Sequence, residues 1–136
     1  MHQIVVKYEG ELRTRAKHLK SGNEIFTDAP IDNHGKGEAF SPTDLTAAAL
    51  GSCILTIMGI AAESRGLDFK GTYSEITKIM GHNPRRITKI IVLIYFNNDF
   101  SKIERKILET AAHSCPVHKS LHDELTKEII FHYPKS

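Results

Sequence analysis

Leu45-Thr46-Ala47-Ala48-Ala49-Leu50-Gly51-Ser52-Cys53-Ile54-Leu55-Thr56-Ile57-Met58-Gly59-Ile60-Ala61-Ala62 runs for 18 positions without a charge. That length is the lower edge of a membrane-spanning helix. The content argues against a span. Ala, Gly, Ser and Thr dominate, and only Leu45, Leu50, Ile54, Leu55, Ile57, Met58 and Ile60 are strongly apolar. The segment reads instead as a central helix packed on nearly all its faces. So large a buried helix in so short a chain points to a core shared with a second subunit.

The start of this helix is well marked. Ser41 is a good N-cap, and Pro42 suits the first helical position, where a missing N–H costs nothing. Asp44 falls three residues after the cap, where a carboxylate reaches back to an orphan amide and meets the positive end of the dipole. The helix is expected to run to about Arg65 and to stop at Gly66. Before it, Gln3 to Tyr8, Glu11 to Leu19 and Asn23 to Asp28 read as an antiparallel meander with turns at Gly10 and Ser21-Gly22. Ala29 to Phe40 is loop. After it, Leu67 to Met80 holds one or two strands, Asn83-Pro84 is a turn, and Ile87 to Phe96 is the best strand in the chain. Ser101 with Glu104 forms a capping box. Ile103, Ile107, Leu108 and Ala111 line one face of the helix that follows. Val117, Leu121 and Leu125 mark a last short helix from Pro116, and Lys127 to Tyr133 closes as a strand. Strands grouped apart from helices give the α+β class. With no linker or repeat, residues 1–136 are expected to form a single domain.

Composition narrows the function. The chain has 136 residues, 40% hydrophobic and 25% charged, with a formal net charge of +2. These values suit a soluble globular protein and predict no strong attraction to nucleic acid or to an anionic membrane. Lys and Arg form no dense block interleaved with aromatics, and Trp is absent, so no nucleic-acid partner is expected. The N-terminal Met1 to Lys7 lacks the features of a secretory signal, which predicts a cytoplasmic protein. In that setting two cysteines are thiols with a task or core filler rather than a structural staple.

Cys53 lies about three turns into the central helix, too deep for the helix dipole to favour its thiolate. A small buried thiol there is an ordinary core residue, and a reactive one needs a cation from elsewhere. Cys115 precedes Pro116 and falls near the N-cap of the last helix, where free amides favour a thiolate; an N-cap chosen for geometry alone reads equally well. His113, Cys115 and His118 could also be metal ligands, but the H-x-C-x-x-H spacing matches no standard zinc set, so no metal is expected. Gly35-Lys36-Gly37-Glu38 lacks the spacing of a nucleotide loop, and no cofactor is called for.

Two segments carry a resemblance. Phe40-Ser41-Pro42-Thr43-Asp44-Leu45, running into Ala47 to Cys53, resembles the central-helix signature of the OsmC/Ohr family. Cys115-Pro116-Val117-His118-Lys119-Ser120-Leu121 resembles that family's second cysteine motif, and Thr27-Asp28-Ala29-Pro30 fits as well. The resemblance implies an intertwined homodimer whose long central helix packs between antiparallel sheets. The implied activity is thiol-dependent reduction of hydroperoxides, often organic ones. Cys53 matches the peroxidatic cysteine and Cys115 the resolving cysteine. The Cys53 thiolate would become a sulfenic acid, Cys115 would condense with it, and an external dithiol reductant would restore the pair.

The chain departs from the family at one point. The helix-start Glu that pairs with an N-terminal-region Arg in the well-studied peroxidases is replaced by Thr43, with Asp44 next. Arg13 and Arg15 share a facing on the second strand and are both candidates to support the thiolate; Asp44 and Glu38 are the candidate acids. Taken singly, each reads first as a surface charge. A non-enzymatic dimer binding a small hydrophobic ligand, with Cys53 as lining, is the alternative.

Overall fold

The computed structural model describes residues 1–134. The chain gathers into two compact units, Met1–Thr46 and the chain from Ala47 onward.

The first unit is an antiparallel meander of β1 (Ile4–Gly10), β2 (Arg13–His18) and β3 (Glu24–Asp28). The first turn takes up more chain than Gly10 alone. Glu11 and Leu12 also have positive φ, 53° and 64°, so β2 starts later than its composition suggests. Register decides the faces. Val6, Ala16 and Ile25 stand across from one another, as do Tyr8, Thr14 and Thr27. Side chains alternate along a strand, so Ile4 joins this apolar face, and Lys7, Arg15 and Phe26 lie on the other. The apolar face is open in the single chain: Ile4, Val6, Tyr8 and Ile25 are 57, 62, 63 and 42% exposed. The loop after β3 contains one 3-10 turn, Ile31–Asn33, and folds back on itself. A Cβ at Gly35 would sit 1.7 Å from the Ala29 carbonyl oxygen, so only glycine fits there.

Helix α1 (Pro42–Ser64) begins in the first unit and leads into the second. There it is followed by β4 (Tyr73–Gly81), β5 (Arg86–Tyr95), α2 (Lys102–Ala112), α3 (Pro116–Ser120) and β6 (Thr126–His132). The sheet order is β4-β5-β6. The expected antiparallel pairing holds for β4 with β5, but β6 runs parallel to β5. The crossover through α2 and α3 returns the chain to the start of β5, which a tight turn could not do. Ile90, Val92 and Ile94 of β5 point inward and meet Leu50, Ile54 and Met58 of α1 and Leu108 of α2 in one core.

Helix α1 is long and apolar enough to cross a membrane by length and composition, yet it serves as the core helix of this unit. It is not packed on nearly all faces as expected. One stripe is buried, Ala47, Leu50, Gly51, Ile54, Met58 and Ala62, at the i, i+3, i+4 spacing. The flank with Ser52, Thr56 and Ile60 is exposed, because one three-stranded sheet covers only one side of a helix. Gly51 sits where α1 approaches β4: an added Cβ would lie 2.1 Å from the Ile76 side chain. Helix α2 carries the expected capping box of Ser101 and Glu104. Its buried residues are Leu108 and Ala112, while Ile103, expected on the inner face, is 74% exposed.

Candidate active site

Cys53 and Cys115 meet in the second unit. Cys53 is half-buried on α1 and packs against the core; Cys115 is fully buried within it. Both are free thiols, and Cys53 lies near enough to Cys115 to influence its ionisation. Cys115 is the N-cap of α3, as its place before Pro116 suggests, and its Sγ accepts the His118 N–H at 3.2 Å. The helix end does not, however, make Cys115 a ready thiolate. Burial pushes this thiol up, the His118 amide pulls it back only in part, and the Cys53 sulfur beside it pushes it up further. α3 is a five-residue helix, too short for its dipole to outweigh desolvation.

His113 and His118 flank Cys115 in sequence, with rings 6.4 Å apart and nearly perpendicular. Burial and the charges of Lys127, Lys119 and His113 hold His118 below the usual imidazole range, which favours its neutral form. Among the described residues, no three His, Cys, Asp or Glu side chains are gathered as a metal site would require.

The other candidate residues lie in the first unit. Arg13 donates to Asp28 through Nε at 2.7 Å and Nη2 at 2.8 Å, and Glu38 stands 3.5 Å from the same Nη2. Asp28 is 1% exposed and also accepts the Glu38 backbone N–H at 3.1 Å. Arg15 pairs instead with Glu9 at 2.7 Å and Glu24 at 3.5 Å. Both guanidiniums lie near the Phe26 ring, at 5.8 and 5.9 Å, so the shared facing expected for them holds. Asp44 closes a reciprocal cap with Ser41: each backbone N–H donates to the other's side-chain oxygen at 3.0 Å.

Asp28 was not among the acids that the sequence suggested. The turn signal alone would have missed it: counting outward from Ser21-Gly22 sets Arg13 across from Pro30, whereas the observed register sets it directly across from Asp28. The Arg13 hydrogen bonds hold the Asp28 carboxyl below the usual carboxylate range, against the opposing effect of burial. A carboxyl lowered in the folded state adds stability that is complete above its unfolded value, about pH 4, and lost as pH falls through the folded value. Asp28→Asn is therefore expected to lower Tm at about pH 7 and to leave it nearly unchanged at about pH 2, as thermal melts at the two pH values would read.

The profile of the OsmC-like protein family matches residues 35–129. A Psychrobacter arcticus protein assigned to osmotic stress induction and the detoxification response is 49% identical, over 97% of this chain and 96% of that one, with a TM-score of 0.94. An organic hydroperoxide resistance protein OsmC from Legionella pneumophila shares the fold at 14% identity, with 96 and 97% of the chains covered and a TM-score of 0.75. An organic hydroperoxide resistance protein from Elizabethkingia anophelis, crystallised with thiocyanate bound, does so at 14% identity, 98% of each chain and a TM-score of 0.76. No curated protein matches in sequence.

Proposed function

This chain belongs to the OsmC-like protein family, and from that premise we propose that it is a cytoplasmic, single-domain, cysteine-based peroxidase that reduces organic hydroperoxides through Cys53 and Cys115. The observation that carries the reading is that the two free thiols neighbour each other at one core cluster, Cys115 within it and Cys53 packed against it, with Cys53 raising the Cys115 thiol. A disulfide between them requires only that the two sulfurs close to bonding distance. In the proposed cycle the Cys53 thiolate attacks the O–O bond and takes the distal oxygen, releasing an alcohol. The Cys115 thiol then condenses with the sulfenic acid, releasing water and forming the disulfide. An external dithiol reduces that disulfide by exchange. Arg13, Arg15, Asp44 and Glu38 enter through the family resemblance. Of the two arginines we assign the supporting role to Arg13, whose guanidinium Asp28 holds with two bonds.

The working unit in this reading is a homodimer. Its support is the open apolar face of β1 and β3 together with the exposed flank of α1, surface that a stable single chain rarely leaves in water. Val6→Glu, which sets a charge in that face, is expected to convert the dimer to monomer in sedimentation velocity. A Val6→Glu protein that remains dimeric would place the interface elsewhere.

Anaerobic thiol counting tests the activity. One equivalent of cumene hydroperoxide should consume both thiols per chain within seconds, with a Cys53–Cys115 linkage in the peptide map. Hydrogen peroxide should act more slowly, since the surroundings of Cys53 are apolar. Thiols that stay free for many minutes would leave the ligand-binding dimer as the better account. The burial that opposes ionisation of Cys115 is the observation on that side.

A further inference from the structure

Burial divides the two sulfurs more sharply than chemistry does. Cys115 is 0% exposed within the chain itself and belongs to the same buried cluster as Leu108, Ala112 and Leu125. Assembly with another chain can add to that cover but not remove it. Cys53 is only half-buried in the same chain. Attack on a disulfide requires the incoming thiolate to approach one sulfur in line with the bond, opposite the sulfur that leaves. Cys115, with no exposed surface, offers no such line, whereas the part-exposed Cys53 does.

We propose that the external dithiol attacks the oxidised pair at Cys53, with Cys115 as the leaving sulfur, so that the mixed disulfide with the reductant forms on Cys53. The proposal rests on the redox-pair reading above. The reductant thiolate forms a bond to the Cys53 sulfur, and the Cys53–Cys115 bond breaks with its electron pair on Cys115. That charge arrives where the His118 N–H already points, at 3.2 Å, and where the Val117 amide also favours it. Burial then drives proton uptake by Cys115. The protonated thiol recloses slowly, leaving time for the second thiol of the reductant to attack its own sulfur in the mixed disulfide. Cys53 is released as thiolate, the reductant departs as a disulfide, and two electrons have passed to the protein. Cys115, in this scheme, never bonds to the reductant.

The test forms the protein disulfide with diamide, so that it does not depend on peroxide turnover. Limiting glutathione is added as a monothiol probe. The reaction is quenched with acid after a few seconds, and free thiols are alkylated before peptide mapping. Glutathione on Cys53 with alkylated Cys115 is expected in roughly tenfold excess or more over the reverse isomer. Equal isomers, or an excess on Cys115, overturn the proposal and leave the redox pair standing. Failure of diamide to link Cys53 to Cys115 overturns the redox pair and the proposal with it. Labelling of the reduced single-cysteine variants by a thiol-reactive chromogenic disulfide gives a second reading. Cys115→Ser, which retains Cys53, should react roughly tenfold faster or more than Cys53→Ser. Equal rates would contradict the proposal.

Discussion

Cys53→Ser is expected to bring peroxide consumption down to the uncatalysed background, while Cys115→Ser completes a first turnover and then fails. The difference follows from what each sulfur does. Without the Cys53 sulfur no thiolate faces the substrate, and a serine hydroxyl is far too weakly acidic and nucleophilic to replace it. Without Cys115 the Cys53 sulfenic acid still forms but has no neighbouring thiol to condense with. It remains open to a second peroxide and moves on to sulfinic acid, which a dithiol does not reverse. Stopped-flow consumption of cumene hydroperoxide, with intact-mass analysis of the product, separates the two. Cys53→Ser should show no burst and no added oxygen. Cys115→Ser should show a burst of one equivalent per chain and added oxygen on Cys53. A burst retained in Cys53→Ser would move the first step to Cys115 and reverse the assignment.

Ile54→Ala should be the most damaging of the simple truncations. Ile54 is 0% exposed and sits in the middle of the buried stripe of α1, with Leu50 and Met58 a turn away on either side. It packs in the same cluster as Ile90, Val92 and Ile94 of β5. Losing its buried methyl and methylene groups and leaving a cavity costs about 2–5 kcal/mol, the usual range for such a change. That is a large share of the stability of a small domain and lowers Tm by on the order of 10 °C. The neighbouring exposed Thr56→Ala should change the Tm of the isolated chain by far less, since it removes a hydroxyl that bonds only to the Ser52 carbonyl of its own helix. Equal losses for the two variants would mean that α1 does not bury the stripe described. Melts at several protein concentrations are required, because an assembling chain has a concentration-dependent Tm.

Most of the elements were legible because their signals are local. Ser41, Pro42 and Gly66 bracket α1, and Ser101 with Glu104 starts α2 where the capping box says. The β-branched run of β5 stands out from its composition alone. The misreadings share a cause. Ile103 has the right spacing for the inner face of α2, but whether a face is covered depends on where the helix lies over its sheet. The direction of β6 depends on the path of a crossover, which no periodicity reports. At the site, Cys115 as an N-cap was readable from Pro116, whereas the rise of its thiol was not. Desolvation is set by a core cluster that also draws in residues far along the chain, such as Leu50 and Ile54.

The sequence by itself determined the order of the elements, the α+β class, the family signature around Cys53 and Cys115, and the caps that start the helices. Each of these rests on residues within a few positions of one another, where backbone geometry is decided. Only the tertiary structure decided that the two thiols come together at one core cluster, that Cys115 is sealed while Cys53 lies at the margin of the core, and that Arg13 is held by Asp28. Those facts depend on how strands register and how a helix settles on a sheet. Packing fixes them between residues far apart in the chain, and it is packing that sets burial and, through burial, the charge each group carries.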